Sequence, residues 1–158
     1  MSSQIIRSKL ERRSGQYAQN RESNIARLET LAGAYEAATL GGGPKYVDRH
    51  LSRGKLLPRT RVELLIDKDS HFLELCALAG HRVGGGIKTG ASIIGGIGIV
   101  SGVECMIVAT ESTVKGGAMN EYSVLKSRRL SEIAAANGLP TINPVSYTHL
   151  TLPTIYSV

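Results

Sequence analysis

The sequence lacks a long apolar run. No stretch approaches the roughly 18 consecutive apolar residues that a membrane-spanning helix needs. Only two isoleucines precede Glu11, Arg12 and Arg13, so the start also lacks the apolar core of a secretory signal peptide. These absences argue against a membrane protein and favour a cytoplasmic location, or the mitochondrial matrix if the source is eukaryotic.

Cysteine and histidine are scarce. Cys76 and Cys105 lie in neither metal-ligand nor redox spacing, and we expect both to be reduced, buried thiols. The four histidines are scattered and form no zinc-type pattern. No metal site is expected in this chain.

Aromatic residues make up only 4% of the chain, and tryptophan is absent. The basic stretch Arg49–Arg61 contains no aromatic residue, whereas grooves for single-stranded nucleic acid combine cations with aromatic side chains. No Gly-x-Ser-x-Gly nucleophile elbow is present. The segment Gly84–Thr89 resembles a P-loop only superficially, because its lysine does not directly follow a glycine. Nucleic acid is therefore not an expected partner, and no nucleophilic residue stands out.

Positive charge is in excess. Nineteen Lys and Arg against thirteen Asp and Glu give a formal charge of +6, which favours an anionic partner such as nucleic acid, a membrane surface or a phosphate-rich small molecule. Charge alone does not choose among these partners. The 42% of hydrophobic residues is typical of a soluble domain.

Helical periodicity characterises the first part of the chain. From about residue 20 to residue 39, apolar residues recur at three- and four-residue spacing and predict a helix with one buried face. These residues are Ile25, Leu28, Leu31, Ala32, Tyr35 and Ala38. Three glycines from Gly41 onward end that helix. The next stretch, from Arg49 to Ile66, predicts two short helices hinged at Gly54 and Pro58.

Strand patterns follow. A short strand is predicted at Phe72–Leu75, and a flexible glycine-rich loop at 84–90. Two longer strands, Ile93–Val100 and Val103–Ala109, surround a tight Ser-Gly turn. The glycines at 95, 96 and 98 indicate either a bulge or the close approach of another backbone.

A helix and a further strand complete the pattern. The helix is predicted from just after Ala118 to about Asn137, and the strand from Leu139 to Asn143. Strand, turn, strand, helix and strand in succession indicate an α/β layer in which the helix packs on the sheet.

The tail differs in composition. No Asp, Glu, Lys or Arg follows Glu132. The segment Val145–Thr154 resembles a translated adaptor of transposon-based sequencing libraries, one frame of which reads GTC TCT TAT ACA CAT CTG. We therefore predict that 144–158 is a non-native tail and that natural sequence ends near Asn143. The alternative is an apolar edge strand.

A glycine turn is the first candidate site. The run from Thr113 to Ala118, which contains Lys115, Gly116 and Gly117, is predicted to lie between a strand and a helix. Backbone N–H groups at a helix start favour an anion or a carbonyl oxygen, and Lys115 adds a positive charge. The alternative is a tight turn whose glycines only satisfy the backbone geometry.

Lys126 is the second candidate. It falls within an otherwise apolar arc of the predicted helix, formed by Met119, Tyr122, Leu125, Leu130 and Ile133. Such a lysine must extend to solvent, pair, or meet a ligand, and extension to solvent is the usual outcome. Arg129 shares the arc and raises the prospect of a joint anionic contact.

Several runs in order along the chain resemble the carboxyltransferase (β) subunits of biotin-dependent acyl-CoA carboxylases, of the methylcrotonoyl-CoA and propionyl-CoA carboxylase type. They are Arg49-His-x-x-Arg-Gly-Lys-Leu, Arg59-x-Arg-Val-Glu-Leu-Leu-Ile-Asp67, and Gly98–Ala109 followed by Thr113–Gly117. The resemblance spans about residues 20 to 143.

This resemblance implies a crotonase-like (ClpP/crotonase) fold, a spiral of strand-strand-helix units that is incomplete here and preceded by N-terminal helices. It implies a domain division into an N-terminal helical region with the glycine-rich loop at 1–91, the start of the carboxyltransferase domain at 92–143, and the tail. It also implies an enzyme, a ligase that transfers a carboxyl group from carboxybiotin to an acyl-CoA. The biotin would be carried by an α subunit with biotin carboxylase activity, and the parent would be oligomeric.

The family's Ser-Gly-Gly-Ala-type turn, which supplies the oxyanion donors, is absent from this sequence. Catalytic residues are therefore expected beyond Asn143, and the chain alone is expected to be inactive. The resemblance carries a CoA-binding role over to Lys115, Gly116, Gly117, Ala118 and Lys126. A non-catalytic basic binding or interaction module is the alternative.

Overall fold

The computed structural model describes residues 8–144, so the predicted tail at 145–158 lies outside the described residues. The chain divides into two compact units, one up to Gly33 and one from Ala34 onward. The predicted domain division at residue 91 stays a prediction.

Helix α1 spans Gly15–Thr39 and begins about five residues earlier than predicted. Ser14 explains the early start, because its hydroxyl accepts a hydrogen bond from the Tyr17 N–H at 3.1 Å and satisfies a free donor of the first turn. The prediction of a buried face was wrong for this helix. Ala34 is its buried residue, whereas Leu28 is 62% exposed. Periodicity predicts an apolar face but not whether a partner within the chain covers it.

The two predicted short helices are present, although the first begins five residues before the predicted stretch. Helix α2 spans Pro44–Leu51 and helix α3 spans Pro58–Leu65. Each has proline in its first turn, where a missing N–H removes no helical hydrogen bond. The buried His50 ring places Nε2 3.1 Å from the Leu56 carbonyl oxygen and so ties α2 to the segment before α3.

A four-stranded sheet forms the centre of the second unit. Its strands are β1 (Leu73–Glu74), β2 (Ile93–Val100), β3 (Val103–Thr110) and β4 (Thr141–Ile142), in the order β1-β2-β3-β4. The pairs β1–β2 and β2–β3 are antiparallel, and β3–β4 is parallel. A parallel pair needs a crossover, which helix α4 (Glu121–Ala136) provides.

The β2–β3 register is continuous from Ile93↔Thr110 to Val100↔Val103, which excludes the bulge predicted as one alternative. The other alternative, close approach of a backbone, is confirmed at Gly96. A Cβ placed there would overlap the Leu73 carbonyl oxygen and lie 2.9 Å from the Glu74 Cα. Only glycine lets β1 approach β2 this closely.

Apolar side chains alternate between the two faces of the sheet and form two core clusters. Where one face packs against α3, the cluster consists of Val62 from the helix and Ile94, Cys105, Ile107 and Ala109 from the strands. Where the opposite face packs against α4, the cluster consists of Leu130 and Ala134 from the helix and Ile93 and Met106 from the strands. The predicted packing of a helix on the sheet is confirmed, and α3 adds a third layer.

Two predictions about burial need correction. Cys76 is a free thiol but is exposed, in a turn after β1 where its φ is 53°; Cys105 is free and buried as predicted. In α4, Leu125 is 51% exposed, and Met119 precedes the helix and is 65% exposed. The helix starts at Glu121 because the Asn120 side chain and the Ser123 N–H and hydroxyl form a capping box.

Candidate functional site

A cleft of about 410 Å³ lies in the second unit and is rich in positive charge. Four of its lining residues are cationic: Arg49, Arg53, Lys88 and Lys115; no carboxylate lines it. The remaining lining residues are Gly42, Tyr46, His50, Gly86, Ser112, Thr113, Val114 and Gly116. We call this the basic cleft. Its charge suits a phosphate-bearing ligand.

Three separate segments supply the cations. Arg49 lies on α2 and Arg53 just after it, Lys88 lies in the glycine-rich loop, and Lys115 lies after β3. The basic stretch singled out in the sequence is thus divided. Arg49 and Arg53 reach the cleft, whereas Arg59 forms a two-point ion pair with Glu74 at 2.7 and 3.0 Å.

Thr113 fixes one wall of the basic cleft. The Gly42 N–H donates to its hydroxyl oxygen at 2.9 Å, and that hydroxyl donates to Glu111 Oε1 at 2.6 Å. The Thr113 N–H donates to the same Glu111 oxygen at 3.0 Å. A Cβ at residue 42 would overlap the Thr113 carbonyl oxygen, so glycine is required for this contact. The chain before α2 is thereby fastened to the segment after β3.

The predicted glycine turn forms a 3₁₀ segment, Lys115–Gly117, with three consecutive positive φ values of 47°, 68° and 84°. The Gly117 N–H donates to the Val114 carbonyl, and the Ala118 N–H to the Lys115 carbonyl. The expected placement at a helix start is wrong, since residues 118–120 separate the turn from α4 and Asn120 caps that helix. The turn remains exposed at Lys115 and Gly116.

A second cavity, of about 350 Å³, is lined in part by the end of this turn. Its lining residues carry no charge: Ser92, Ile93, Val108, Thr110, Gly117, Ala118, Met119, Ser123, Ser127 and Asn143. We call it the small-residue cavity. Lys115 and Gly116 line the basic cleft, whereas Gly117 and Ala118 line the small-residue cavity. One four-residue turn therefore contributes to both a cationic cleft and an uncharged cavity.

Lys126 is 3% exposed and lines neither cavity. Its ammonium donates to the Ile93 carbonyl at 2.6 Å and to the Gly90 carbonyl at 3.2 Å, so it pairs internally instead of extending to solvent. Burial lowers the pKa of Lys126 to about 8; Glu74 and Cys76 oppose the shift, and Arg59 adds to it. Arg129 is exposed and lies 3.4 Å from Glu132, so the joint anionic contact with Lys126 is not formed.

Arg61 presents an unusual environment on α3. Both of its terminal nitrogens are buried without a hydrogen-bond partner among the described residues. Desolvation lowers the pKa of Arg61, and the negative charge of Glu111 opposes that shift. Arg61 thus differs from Arg49 and Arg53, which are exposed in the same basic stretch.

Only part of the site was predicted from the sequence. The turn residues were predicted, but the stretch that contains Arg49 and Arg53 was used only to argue against nucleic acid, and Lys88 was discounted along with the P-loop. The density of positive charge from 49 to 61 was the signal for Arg49 and Arg53. The distance in sequence from Arg49 to Lys115 hides that both line one cleft.

Two features are absent from the described residues 8–144. They contain no cluster of three or more His, Cys, Asp or Glu side chains arranged to hold a metal ion. No helix among them is both long and apolar enough to cross a membrane.

The sequence matches a known protein family and several of its relatives. Residues 49–147 match the model of the carboxyl transferase domain. The chain is 45% identical over 150 residues to a probable biotin-dependent acyl-coenzyme A carboxylase β2 subunit of Mycobacterium tuberculosis, covering 95% of the chain and 28% of that protein. It is 41% identical over 150 residues to a probable mitochondrial methylcrotonoyl-CoA carboxylase β chain of Drosophila melanogaster, covering 94% of the chain and 26% of that protein.

Solved structures show the same likeness. The β subunit of geranyl-CoA carboxylase from P. aeruginosa matches with a TM-score of 0.78 and 31% identity, over 93% of this chain and 28% of that one. The crotonase-like fold expected from the sequence is thereby confirmed. The chain spans about a quarter of the length of the relatives it matches.

Proposed function

Because the chain belongs to the carboxyl transferase family, we propose that it supplies part of the CoA-binding surface of a biotin-dependent acyl-CoA carboxylase. The substrate would be a short or branched acyl-CoA of the methylcrotonoyl-CoA or propionyl-CoA kind. Relatives of both names match this sequence, at 41% and 34% identity.

One observation carries this proposal: the Lys115–Ala118 turn lines both the basic cleft and the small-residue cavity, with its first two residues in one and its last two in the other. Coenzyme A has the same division of chemistry, with phosphates at one end and an uncharged pantetheine arm and thioester at the other. The phosphates would lie among the cations of the basic cleft, and the arm would pass over Gly116 and Gly117 into the small-residue cavity. Neither glycine has a side chain to block that path.

The described residues bind and orient; none is assigned a catalytic role. Lys115 would contact a phosphate, and the uncharged lining of the small-residue cavity would accept the amide-bearing arm. In the whole enzyme the carboxyl group passes from carboxybiotin, held by a biotin-bearing α subunit, to the acyl-CoA. We assign none of the described residues to biotin, so their proposed part in the reaction is to hold the acyl-CoA.

The setting of the whole enzyme follows from the same proposal. It would act as an oligomer together with the α subunit, in the bacterial cytoplasm or in the mitochondrial matrix. Names of relatives from Mycobacterium tuberculosis and of mitochondrial relatives support these two settings.

Charge reversal tests the CoA assignment. In the full chain, Arg53→Glu and Lys115→Glu should each weaken CoA binding measured by calorimetry by about tenfold or more, because each replaces an attraction to phosphate with a repulsion. Arg128→Glu is the control, since Arg128 lies on the outer surface of α4 beside Glu132 and should leave the affinity unchanged. Equal binding by all three variants would overturn the proposal.

The alternative function, a non-catalytic basic module, rests on the net charge of +6. It predicts affinity for a single-stranded oligonucleotide that falls steeply with added salt. If the oligonucleotide binds more tightly than CoA, and if Arg53→Glu and Lys115→Glu abolish that binding, the basic cleft is a nucleic-acid site. The assignment of this surface to a carboxylase is then wrong.

A further inference from the structure

Three consecutive residues before β2 have left-handed backbones. Gly90 has φ 90°, Ala91 has φ 53° and Ser92 has φ 59°. Glycine tolerates this region, but alanine and serine adopt it only when the surroundings hold them there. All three residues are buried, so something in the interior must fix the left-handed run.

The Lys126 ammonium lies at both ends of that run. It donates to the carbonyl of Gly90, the first residue, and to the carbonyl of Ile93, the residue that follows the last. Backbone bonds also hold the flanks: the Gly90 N–H donates to Ala79 O and the Glu111 N–H donates to Ser92 O, both at 2.9 Å. One backbone bond joins the same two ends, since the Ile93 N–H donates to Gly90 O at 3.2 Å. The ammonium adds a side-chain bridge to this longer backbone bond.

The same run connects the two cavities. Lys88, two residues before it, lines the basic cleft, whereas Ser92 and Ile93 line the small-residue cavity. On the other side of the site, the Lys115–Ala118 turn makes the same connection. A shift of the run would therefore move Lys88, which lines the basic cleft, relative to Ser92 and Ile93, which line the small-residue cavity.

We infer that Lys126 is a positioning residue. Its buried ammonium bridges Gly90 and Ile93 and holds the basic cleft and the small-residue cavity at the relative position that one CoA molecule needs to bind both. This inference rests on the proposed CoA function but replaces direct contact between Lys126 and CoA by action through the backbone. The charged and titratable groups that face Lys126 are Glu74, Cys76 and Arg59, and none of them bridges the run.

Amide hydrogen exchange tests the bridge. In the full chain, Lys126→Met, which keeps most of the aliphatic side chain without its donors, should reduce the protection of the Gly90, Ala91 and Ile93 amides by about tenfold or more. Arg129→Met, on the exposed side of the same helix, should leave those amides unchanged. Unchanged protection in both variants would overturn the inference. If Lys126→Met does not fold, Lys126→Gln carries the same comparison, since it is too short to reach both carbonyls.

A glycine background separates positioning from simple packing. Ala91→Gly with Ser92→Gly removes the strain that the bridge holds, because glycine adopts positive φ readily. In that background Lys126→Met should reduce protection by less than about threefold. A packing role alone would give the same reduction in both backgrounds, which would contradict the inference.

Two ligands of different size test whether Lys126 sets the relative position of the two cavities. Lys126→Met should weaken the binding of CoA, which would span both cavities, by about tenfold. It should weaken the binding of adenosine 3′,5′-bisphosphate, which would occupy only the basic cleft, by less than about threefold. Only a ligand that contacts both cavities depends on the distance between them. An equal loss of affinity for both ligands would show that Lys126 does not set the relative position of the two cavities. If the unmodified chain binds neither ligand, the proposed function fails, and the exchange experiment still decides whether Lys126 holds the run.

Discussion

The Asp67 carboxylate lies across the β2–β3 turn and accepts a hydrogen bond from the Gly102 N–H at 2.7 Å. Its other oxygen accepts from the Ser101 N–H, also at 2.7 Å. Ser101 and Gly102 have φ values of 51° and 78°, the positive pair of a two-residue hairpin turn. One side chain after α3 thus holds the turn that sets the register of the central hairpin.

Asp67→Ala should therefore destabilise the hairpin. The two turn amides lose their charged acceptor but remain within reach of water, so the free energy of unfolding should fall by about 1–2 kcal/mol. Urea denaturation measures the change. Glu63→Ala, at an exposed position of α3 close by in sequence, is the control, and an equal loss in both variants would show that the contact with the turn does not matter.

Lys126 should make the folded chain more stable at alkaline pH. Its pKa falls from 10.5 to about 8 on folding, so between these values the unfolded chain binds a proton that the folded chain has released. The free energy of unfolding should rise across this window by up to about 3 kcal/mol relative to Lys126→Met, since one pKa unit is worth about 1.4 kcal/mol. Urea denaturation of both proteins at several pH values checks this. Parallel pH profiles would contradict it.

Gly96→Ala should disrupt the β1–β2 contact. The added methyl group would meet the Leu73 carbonyl and the Glu74 backbone, neither of which can move like a flexible side chain. We expect a loss of about 2–3 kcal/mol in the free energy of unfolding. Gly33→Ala is the matched control: a Cβ there meets nothing within 4 Å, and alanine favours a helix over glycine. A folded Gly96→Ala protein of unchanged stability would disprove the contact.

The two thiols should react at different rates. Cys76 is exposed and Cys105 is 4% exposed, so a maleimide should label one thiol of the native protein and both in denaturant. Cys76→Ser should abolish the native labelling, and Cys105→Ser should leave it intact; mass spectrometry counts the adducts. Native labelling of Cys105 would mean that the α3 face of the sheet opens in solution.

The sheet was predictable because its signals are local. Two apolar runs rich in β-branched residues and the Ser101–Gly102 turn define the hairpin without reference to any other part of the chain. The helix positions were also predicted, but burial was not. An apolar stripe such as the one on α1 does not reveal whether the chain itself provides a partner, and the start of α4 depended on the Asn120–Ser123 box.

The site was less predictable because it depends on distant partners. The two carbonyls that accept from Lys126 lie 33 and 36 residues earlier in the chain, at the start of β2 and just before it, and no spacing rule relates them to the helix. The basic cleft likewise assembles cations from three segments. Residue type identified Lys115 and Lys126 as candidates, and only the folded backbone distinguished a cation that faces a cleft from one that holds a loop.

Strand β2 limits how this sequence can change over time. Gly95 lies against Leu130 of α4, Gly96 against the β1 backbone, and Gly98 against Ile66 beyond α3. A larger residue at Gly95 or Gly98 would be accepted only with a smaller residue at its partner, so these positions should co-vary in pairs across related sequences. Gly96 has no side-chain partner that could compensate against the β1 backbone, and it should stay glycine in every lineage that keeps β1.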